Sequence, residues 1–116
     1  MKRDPRAYLW DVDDAAQAIQ DFVKGMDANA YAATPLVHSA VERKFEIIGE
    51  ALAQLAKVDP TLAARVPHLP EIVAFRNQLI HGYAVVNHGT VWNVIQDALP
   101  MLLASVRVLL CTEPKS

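Results

Sequence analysis

The residues best suited to chemistry stand together in one segment, which reads Arg76-Asn77-Gln78-Leu79-Ile80-His81-Gly82-Tyr83. Arginine presents a rigid fork of donors that matches phosphate oxygens. Histidine is the side chain whose unperturbed pKa lies nearest neutrality, so it can give and take protons. Together, an arginine and a histidine can hold a phosphodiester and move protons on and off it.

The spacing of Arg76 and His81 limits how they could act together. Five residues along a regular helix turn by roughly 500°, which leaves the two side chains about 140° apart. Either the helix breaks near Gly82 and swings His81 round, or a second copy of the segment completes the site. The alternative is that these residues have only structural roles. Arg76 is then a solvated charge, His81 is a helix-terminal residue favoured by the helix dipole, and Tyr83 is a core aromatic. Asn77 is a mediocre helix former, which a supporting polar role would explain.

Other candidate ligands are weaker. Glutamates recur every four residues at Glu42, Glu46 and Glu50. Three carboxylates on one line could hold a metal, but a solvated stripe paired with neighbouring basic residues is favoured. His38 shares a face with Glu42, yet two ligands make no metal site. The sequence therefore predicts no metal and no cofactor, and it contains no glycine-rich phosphate loop and no paired cysteines.

Hydrophobic periodicity predicts four helices with negligible strand. They run from about Pro5 to Lys24, Thr34 to Val58, Pro70 to Ile80 and Thr90 to Leu110. Pro100 should kink the last helix, because its ring removes an N–H and clashes with a carbonyl one turn back. The expected fold is all-α, an up-and-down four-helix bundle with a kinked last helix.

The same pattern predicts the positions of individual side chains. Asp4 and Thr34 are predicted helix caps, and 87–89 is predicted as a turn. The predicted core aromatics are Trp10, Phe45 and Trp92, whereas the predicted surface histidines are His68 and His88.

Length and composition are typical of one helical domain spanning 1–116, with a frayed tail from about residue 112. The net charge of -2 and the pI near 6.0 give no general attraction to nucleic acid, so any such binding must be local. Cys111 is the lone cysteine, and no apolar signal segment follows the N-terminus. A cytoplasmic protein is expected, with no membrane segment, because the apolar, uncharged stretch from Ala98 to Val106 is only nine residues long and too short to span a bilayer.

At the 76–83 segment the chain resembles the HepT-like ribonucleases of the HEPN superfamily, whose signature is Arg-x4-His-x-Tyr. Further similar segments are Glu46-Ile47-Ile48-Gly49-Glu50-Ala51, Val91-Trp92-Asn93 and Asp97-Ala98-Leu99-Pro100. These matches occur in order from about Leu36 to Leu103, which is more specific than the short motif alone. One departure is that 69–72 lacks the tryptophan that many members carry beside the proline.

The resemblance implies a homodimer in which the two motifs face each other. It implies an endoribonuclease that cleaves RNA without a metal, with Arg76 and His81 as the catalytic residues. It also implies a toxin–antitoxin system, in which a separate MntA-type nucleotidyltransferase acts as antitoxin by transferring adenylate onto Tyr83.

The residues are compatible with attack of the RNA 2′-hydroxyl on the adjacent phosphorus. His81 could act as base or acid, and Arg76 could hold the non-bridging oxygens. One histidine cannot serve both ends at once, so a two-fold dimer would supply the second. The alternative is a non-catalytic helical module that binds a nucleotide or a nucleotidyltransferase, since the chain has no broad basic surface. A weaker alternative is a structural homodimer without a ligand.

Overall fold

The computed structural model describes residues 3–81 and 87–112, and within these ranges the regular structure is entirely α-helical. The helices are α1 (Pro5–Phe22), α2 (Ala28–Ala33), α3 (Pro35–Val58), α4 (Pro60–Ala63), α5 (Leu69–His81), α6 (His88–Gln96) and α7 (Ala98–Thr112). The all-α prediction is confirmed. The described ranges hold seven helices rather than the predicted four, because two are short and the last predicted helix is broken.

The first two helices are set by local polar groups. The Asp4 carboxylate accepts a hydrogen bond from the Arg6 N–H at 2.9 Å, as predicted for an N-cap. Gly25 has φ +81, a conformation that favours glycine, so the chain turns after α1. Asp27 then accepts from the Ala30 N–H at 2.8 Å and starts α2, which the apolar pattern did not predict.

α3 is the central helix, and both α1 and α5 pack against it. Thr34 was predicted to cap α3, but it makes no side-chain cap bond there. Its hydroxyl instead donates to the Ala30 carbonyl at 2.7 Å, at the end of α2. The predicted connector after α3 contains only the four-residue α4.

The core lies between α1, α3 and α7, with α2 and α6 at one side. Most predicted inward positions are buried, among them Leu9, Val12, Ala16, Ile19, Val41, Ile48, Leu52, Leu55, Val91, Ile95, Leu102 and Val106. Burying one large aliphatic side chain contributes about 1.5–3 kcal/mol, so this stripe defines the fold. Phe45 is a core residue as predicted and Trp92 is partly buried, whereas the prediction for Trp10 is wrong, since it is 52% exposed.

The predicted fourth helix is two helices, α6 and α7, bent by 40° at Asp97. Pro100 explains the break, because it has no N–H for the Gln96 carbonyl and its ring clashes with that oxygen. Among the described helices, none combines the length and the apolar character that spanning a membrane requires. Among them, only α6 and α7 taken together as one bent pair have sufficient length and apolar composition.

α6 begins earlier than predicted. The Asn87 side chain accepts from the Thr90 N–H at 3.0 Å and forms its N-cap. His88 and Gly89 are therefore the first helical residues, and the predicted turn is wrong for both. The predicted tail after Thr112 lies outside the described residues.

Candidate functional site

α5 carries the 76–81 part of the motif on the surface of the bundle. None of its residues is fully buried. Its predicted apolar face is half-buried against the core, through Ile72, Phe75 and Leu79. The Phe75 ring packs edge-on against Phe45, with centroids 5.2 Å apart, and this contact holds α5 to α3.

Gly49 allows α5 to lie directly against α3. A Cβ at this position would overlap the Cβ and Cγ atoms of Arg76 and would lie 3.2 Å from its Cδ. The aliphatic part of Arg76 therefore lies directly on the α3 backbone. Gly49 is a site residue that the sequence interpretation missed. The signal was present, because a glycine inside a helix costs up to about 1 kcal/mol and so needs a packing reason.

The Arg76 guanidinium is held by two acceptors. Its Nη2 donates to the Glu50 carboxylate at 2.6 Å, and its Nη1 donates to the Asn77 side-chain oxygen at 2.9 Å. Its Nε is buried and has no hydrogen-bond partner among residues 3–81 and 87–112. The Arg76 side chain is only 23% exposed, so it is a positioned cation rather than a freely solvated charge.

Arg76 lies in a polar cleft of about 400 Å³ between α1, α3 and α5. Two further arginines line this cleft with their own partners, Arg3 with Asp11 at 2.8 Å and Arg43 with Glu46 at 3.2 Å. Tyr8 lies beneath the Arg3 guanidinium, 4.7 Å from it. The hydrogen bond to Asp11 raises the pKa of Arg3. The cleft thus gathers cations and an aromatic ring, with a carboxylate beside each cation.

His81 is the exposed last residue of α5 and does not line the cleft that contains Arg76. α5 stays helical through His81, so the angular separation of about 140° from Arg76 applies. A helix break therefore does not bring the two side chains together within one chain. Gly82 and Tyr83 lie outside the described residues.

The three glutamates predicted as one solvated stripe have three different surroundings. Glu46 pairs with its neighbour Arg43, as predicted. Glu50 instead pairs with Arg76 of α5. Glu42 lies against two histidines and is only 23% exposed, so the stripe interpretation is wrong for Glu42, whereas Glu50 is exposed as predicted but pairs with another helix.

The histidines beside Glu42 come from different helices. Its Oε2 is 3.6 Å from Nδ1 of His38 and 3.9 Å from Nδ1 of His88. The two imidazoles stack with centroids 3.9 Å apart. The surface prediction is confirmed for His68, which is exposed, and is wrong for His88, which is half-buried.

Tyr31 of α2 lies next to this cluster and is fully buried. Its ring centroid is 6.2 Å from those of His38 and His88. Burial raises the pKa of the Tyr31 hydroxyl, and the charge of Glu42 raises it further. Sequence reasoning missed Tyr31 and His88 as neighbours, because α2 was not predicted and no local spacing relates the two positions.

Comparison with known proteins adds independent information. The sequence model of the family described as "Ribonuclease HepT-like" matches residues 12–109. A Methanocaldococcus jannaschii protein named "Putative RNase" is 30% identical over 93% of this chain and 98% of its own length. A Caldanaerobacter subterraneus protein, also named "Putative RNase", is 33% identical over 94% of this chain and 96% of its own length. The "Probable ribonuclease HepT" of Thermococcus cleftensis is 29% identical over 88% of this chain and 92% of its own length.

No solved structure matches the chain. The family match covers most of the sequence and includes the helices that carry Arg76, Glu50 and His81. The relatives named above align over nearly their whole length, and their names support a ribonuclease. The chain therefore belongs to the HepT-like ribonuclease family.

Proposed function

We propose that the protein is a metal-independent endoribonuclease in which Arg76 binds the scissile phosphate and His81 transfers protons. The observation that carries this proposal is the Arg76 guanidinium, fixed in the polar cleft between the Glu50 carboxylate and the Asn77 side-chain oxygen. A phosphate has several acceptor oxygens and can take a bidentate pair of bonds from such a group. Arg3 and Arg43 supply further cations along the same cleft for neighbouring phosphates.

Glu50 sets the resting state of this site. Its carboxylate occupies one face of the Arg76 guanidinium at 2.6 Å, yet its own side chain is 55% exposed. An exposed partner can move aside at low cost, since surface ion pairs contribute about 0–1 kcal/mol. An incoming phosphodiester can therefore replace Glu50 on Arg76, while Gly49 and Asn77 keep the arginine in place.

The proposed active form is a homodimer with a composite site. His81 does not line the cleft that holds Arg76, and cleavage needs both a base and an acid. Two-fold packing of α5 against its copy would supply a second His81 and a second Arg76. It would also cover Ile80, which is 39% exposed.

A second cleft of about 400 Å³, between α5 and the α6–α7 junction, is lined by apolar side chains that include Ile72 and Met101. Met101 itself is 58% exposed. Incompletely covered apolar surface on both sides of α5 supports an interface there, because stable interfaces bury about 1,200–2,000 Å² in total.

Incubation with total RNA in the presence of EDTA tests the function. The wild-type protein is expected to cleave RNA and to leave 2′,3′-cyclic phosphate ends, whereas the Arg76→Ala/His81→Ala double variant should leave the RNA intact. Sequencing of the 3′ ends identifies the product. Activity that requires added metal would contradict the mechanism. RNA that stays intact with and without metal would favour the non-catalytic binding module instead.

The proposed regulation is that of a toxin–antitoxin pair in the cytoplasm, in which a separate MntA-type nucleotidyltransferase modifies Tyr83. An adenylate two residues from His81 would add bulk and a negative phosphate near Arg76, and so repel RNA. With the cognate transferase and ATP, intact-mass spectrometry should show one adenylate on the wild type and none on Tyr83→Phe. Tyr8→Phe is the matched control and should still be modified. An adduct that persists on Tyr83→Phe would exclude this site.

A further inference from the structure

His38, Glu42 and His88 form a three-ligand cluster that RNA cleavage does not use. His38 and Glu42 are four residues apart on α3, so they lie on one face of that helix. His88 is the first residue of α6 and comes to them from the other side. One ligand atom from each of the three residues lies within 4.8 Å of the others.

We propose that these three side chains bind a divalent transition-metal ion of the zinc class. Two imidazoles and one carboxylate form a donor set typical of zinc sites with an open fourth position. Magnesium and calcium are excluded as preferred ions, because they require mainly oxygen ligands. The site is distinct from the Arg76 cleft, whose lining contains none of the three residues.

The distances fit this ion after a small closure. Bonds of about 2.0–2.1 Å to a tetrahedral zinc place neighbouring ligand atoms roughly 3.3 Å apart. The Nδ1 atoms of His38 and His88 lie 3.6 and 3.9 Å from the Glu42 Oε2. Both distances exceed that value by less than 1 Å, and the stacked rings would also have to turn so that both nitrogens face one ion. The side chains are only 15–26% exposed, so they sit in a shielded position that solvent still reaches.

Buried polar atoms without a hydrogen-bond partner are a second indication that an ion binds here. The Nδ1 atoms of both histidines are buried, and neither makes a hydrogen bond to another described residue. The Tyr31 hydroxyl, in a fully buried side chain beside the cluster, also has no partner there. Leaving buried polar atoms unpaired costs about 1–3 kcal/mol each. A bound ion would satisfy the two nitrogens.

The ion would join helices that otherwise touch little. α6 packs mainly on α2 and α7, whereas His38 and Glu42 belong to α3. A metal bridge would fasten the first turn of α6 to the central helix. In the sequence, that first turn follows His81 by seven residues, so the bridge anchors the chain just beyond the motif.

The test measures zinc binding to the full-length protein without an affinity tag. A Cys111→Ser background removes the exposed thiol, which could itself bind zinc. After dialysis against EDTA and then buffer, titration in competition with a chromophoric chelator should give one zinc per chain. Zinc should raise the melting temperature, because a ligand that binds only the folded state stabilises it. Magnesium should neither bind at this stoichiometry nor raise the melting temperature.

Ligand variants distinguish this site from surface binding. His88→Ala and Glu42→Gln should each weaken zinc by about 100-fold or more, beyond the typical outer-shell loss of about 10- to 100-fold. His68→Ala is the matched control, because His68 makes a similar contact of 3.7 Å to Glu71 but is 70% exposed and has no third ligand within 3–81 and 87–112. It should bind zinc like the wild type.

Cobalt gives a second readout that does not depend on stability. Bound Co²⁺ should produce visible d–d absorption in the wild type and in His68→Ala, and none in His88→Ala, while circular dichroism shows the helical content of each variant. Equal zinc affinity in His88→Ala and the wild type would overturn the proposal, as would failure of the wild type to bind micromolar zinc. Neither readout involves RNA, so the result is independent of the nuclease.

Discussion

Replacing His81 with alanine is expected to lower RNA cleavage by about 10²- to 10⁴-fold, the usual contribution of a general acid or base. Arg76→Lys should also impair cleavage strongly, because a point charge cannot replace a two-pronged donor held between Glu50 and Asn77. Initial rates on a fluorogenic RNA in EDTA measure both effects. His68→Ala is the matched control, since His68 is an exposed histidine outside the motif.

A mixing experiment asks whether the site is composite. Wild-type and His81→Ala chains are mixed in equal amounts and allowed to exchange partners. If each active site needs His81 from both chains, only about a quarter of the dimers remain competent. If each chain carries its own site, about half of the activity remains. Sedimentation should show a dimer throughout, and a stable monomer with full activity would exclude the composite site.

The second large effect is expected for Gly49→Ala. Alanine normally stabilises a helix interior by about 1 kcal/mol relative to glycine. At Gly49 the added Cβ would overlap the Arg76 side chain, so we expect a loss of about 1–3 kcal/mol in the free energy of unfolding. Cleavage should fall with it, because a 1 Å displacement of a catalytic group can cost about 10²-fold.

Urea unfolding followed by circular dichroism measures the stability of this variant. Gly89→Ala is its control, because the nearest atom to a Cβ there is the Asn87 side-chain oxygen at 3.2 Å, and strain on this cap oxygen is opposed by the better helix propensity of alanine. A change within about 0.5 kcal/mol is expected for the control. A Gly49→Ala protein that is more stable than the wild type would show that α5 does not lie this close to α3.

The long helices could be predicted because their apolar residues repeat with helical spacing and their ends carry local signals. α3 was predicted at nearly its full length from residues such as Val41, Ile48 and Leu55. The short α2 could not be, because six residues give too little periodicity to recognise. Its start depends on one carboxylate, that of Asp27. The break at Asp97 was anticipated as a kink because Pro100 has a local and predictable effect.

The candidate site was predictable only in part. Arg76 and His81 were found from their chemistry and from a family resemblance, and their angular separation followed from helix geometry. The partners of Arg76 could not be predicted from the sequence. Glu50 and Gly49 lie more than 25 residues away in the sequence, and their contact exists only because α5 packs on α3. The meeting of His38 with His88 likewise depends on tertiary packing that no local pattern encodes.

The absence of any fully buried residue in α5 has a consequence for how the protein opens. Local unfolding proceeds with free energies from near zero up to that of the whole fold, and it begins where few apolar groups are buried. α1, α3 and α7 share the core, whereas α5 is held by half-buried Ile72 and Phe75 and by the pairing of Arg76 with Glu50. We therefore expect the motif helix to open as its own cooperative unit before the core helices do. Any molecule that covers α5, whether RNA, a partner protein or a second chain, acts as a clamp on this equilibrium and slows amide exchange there first.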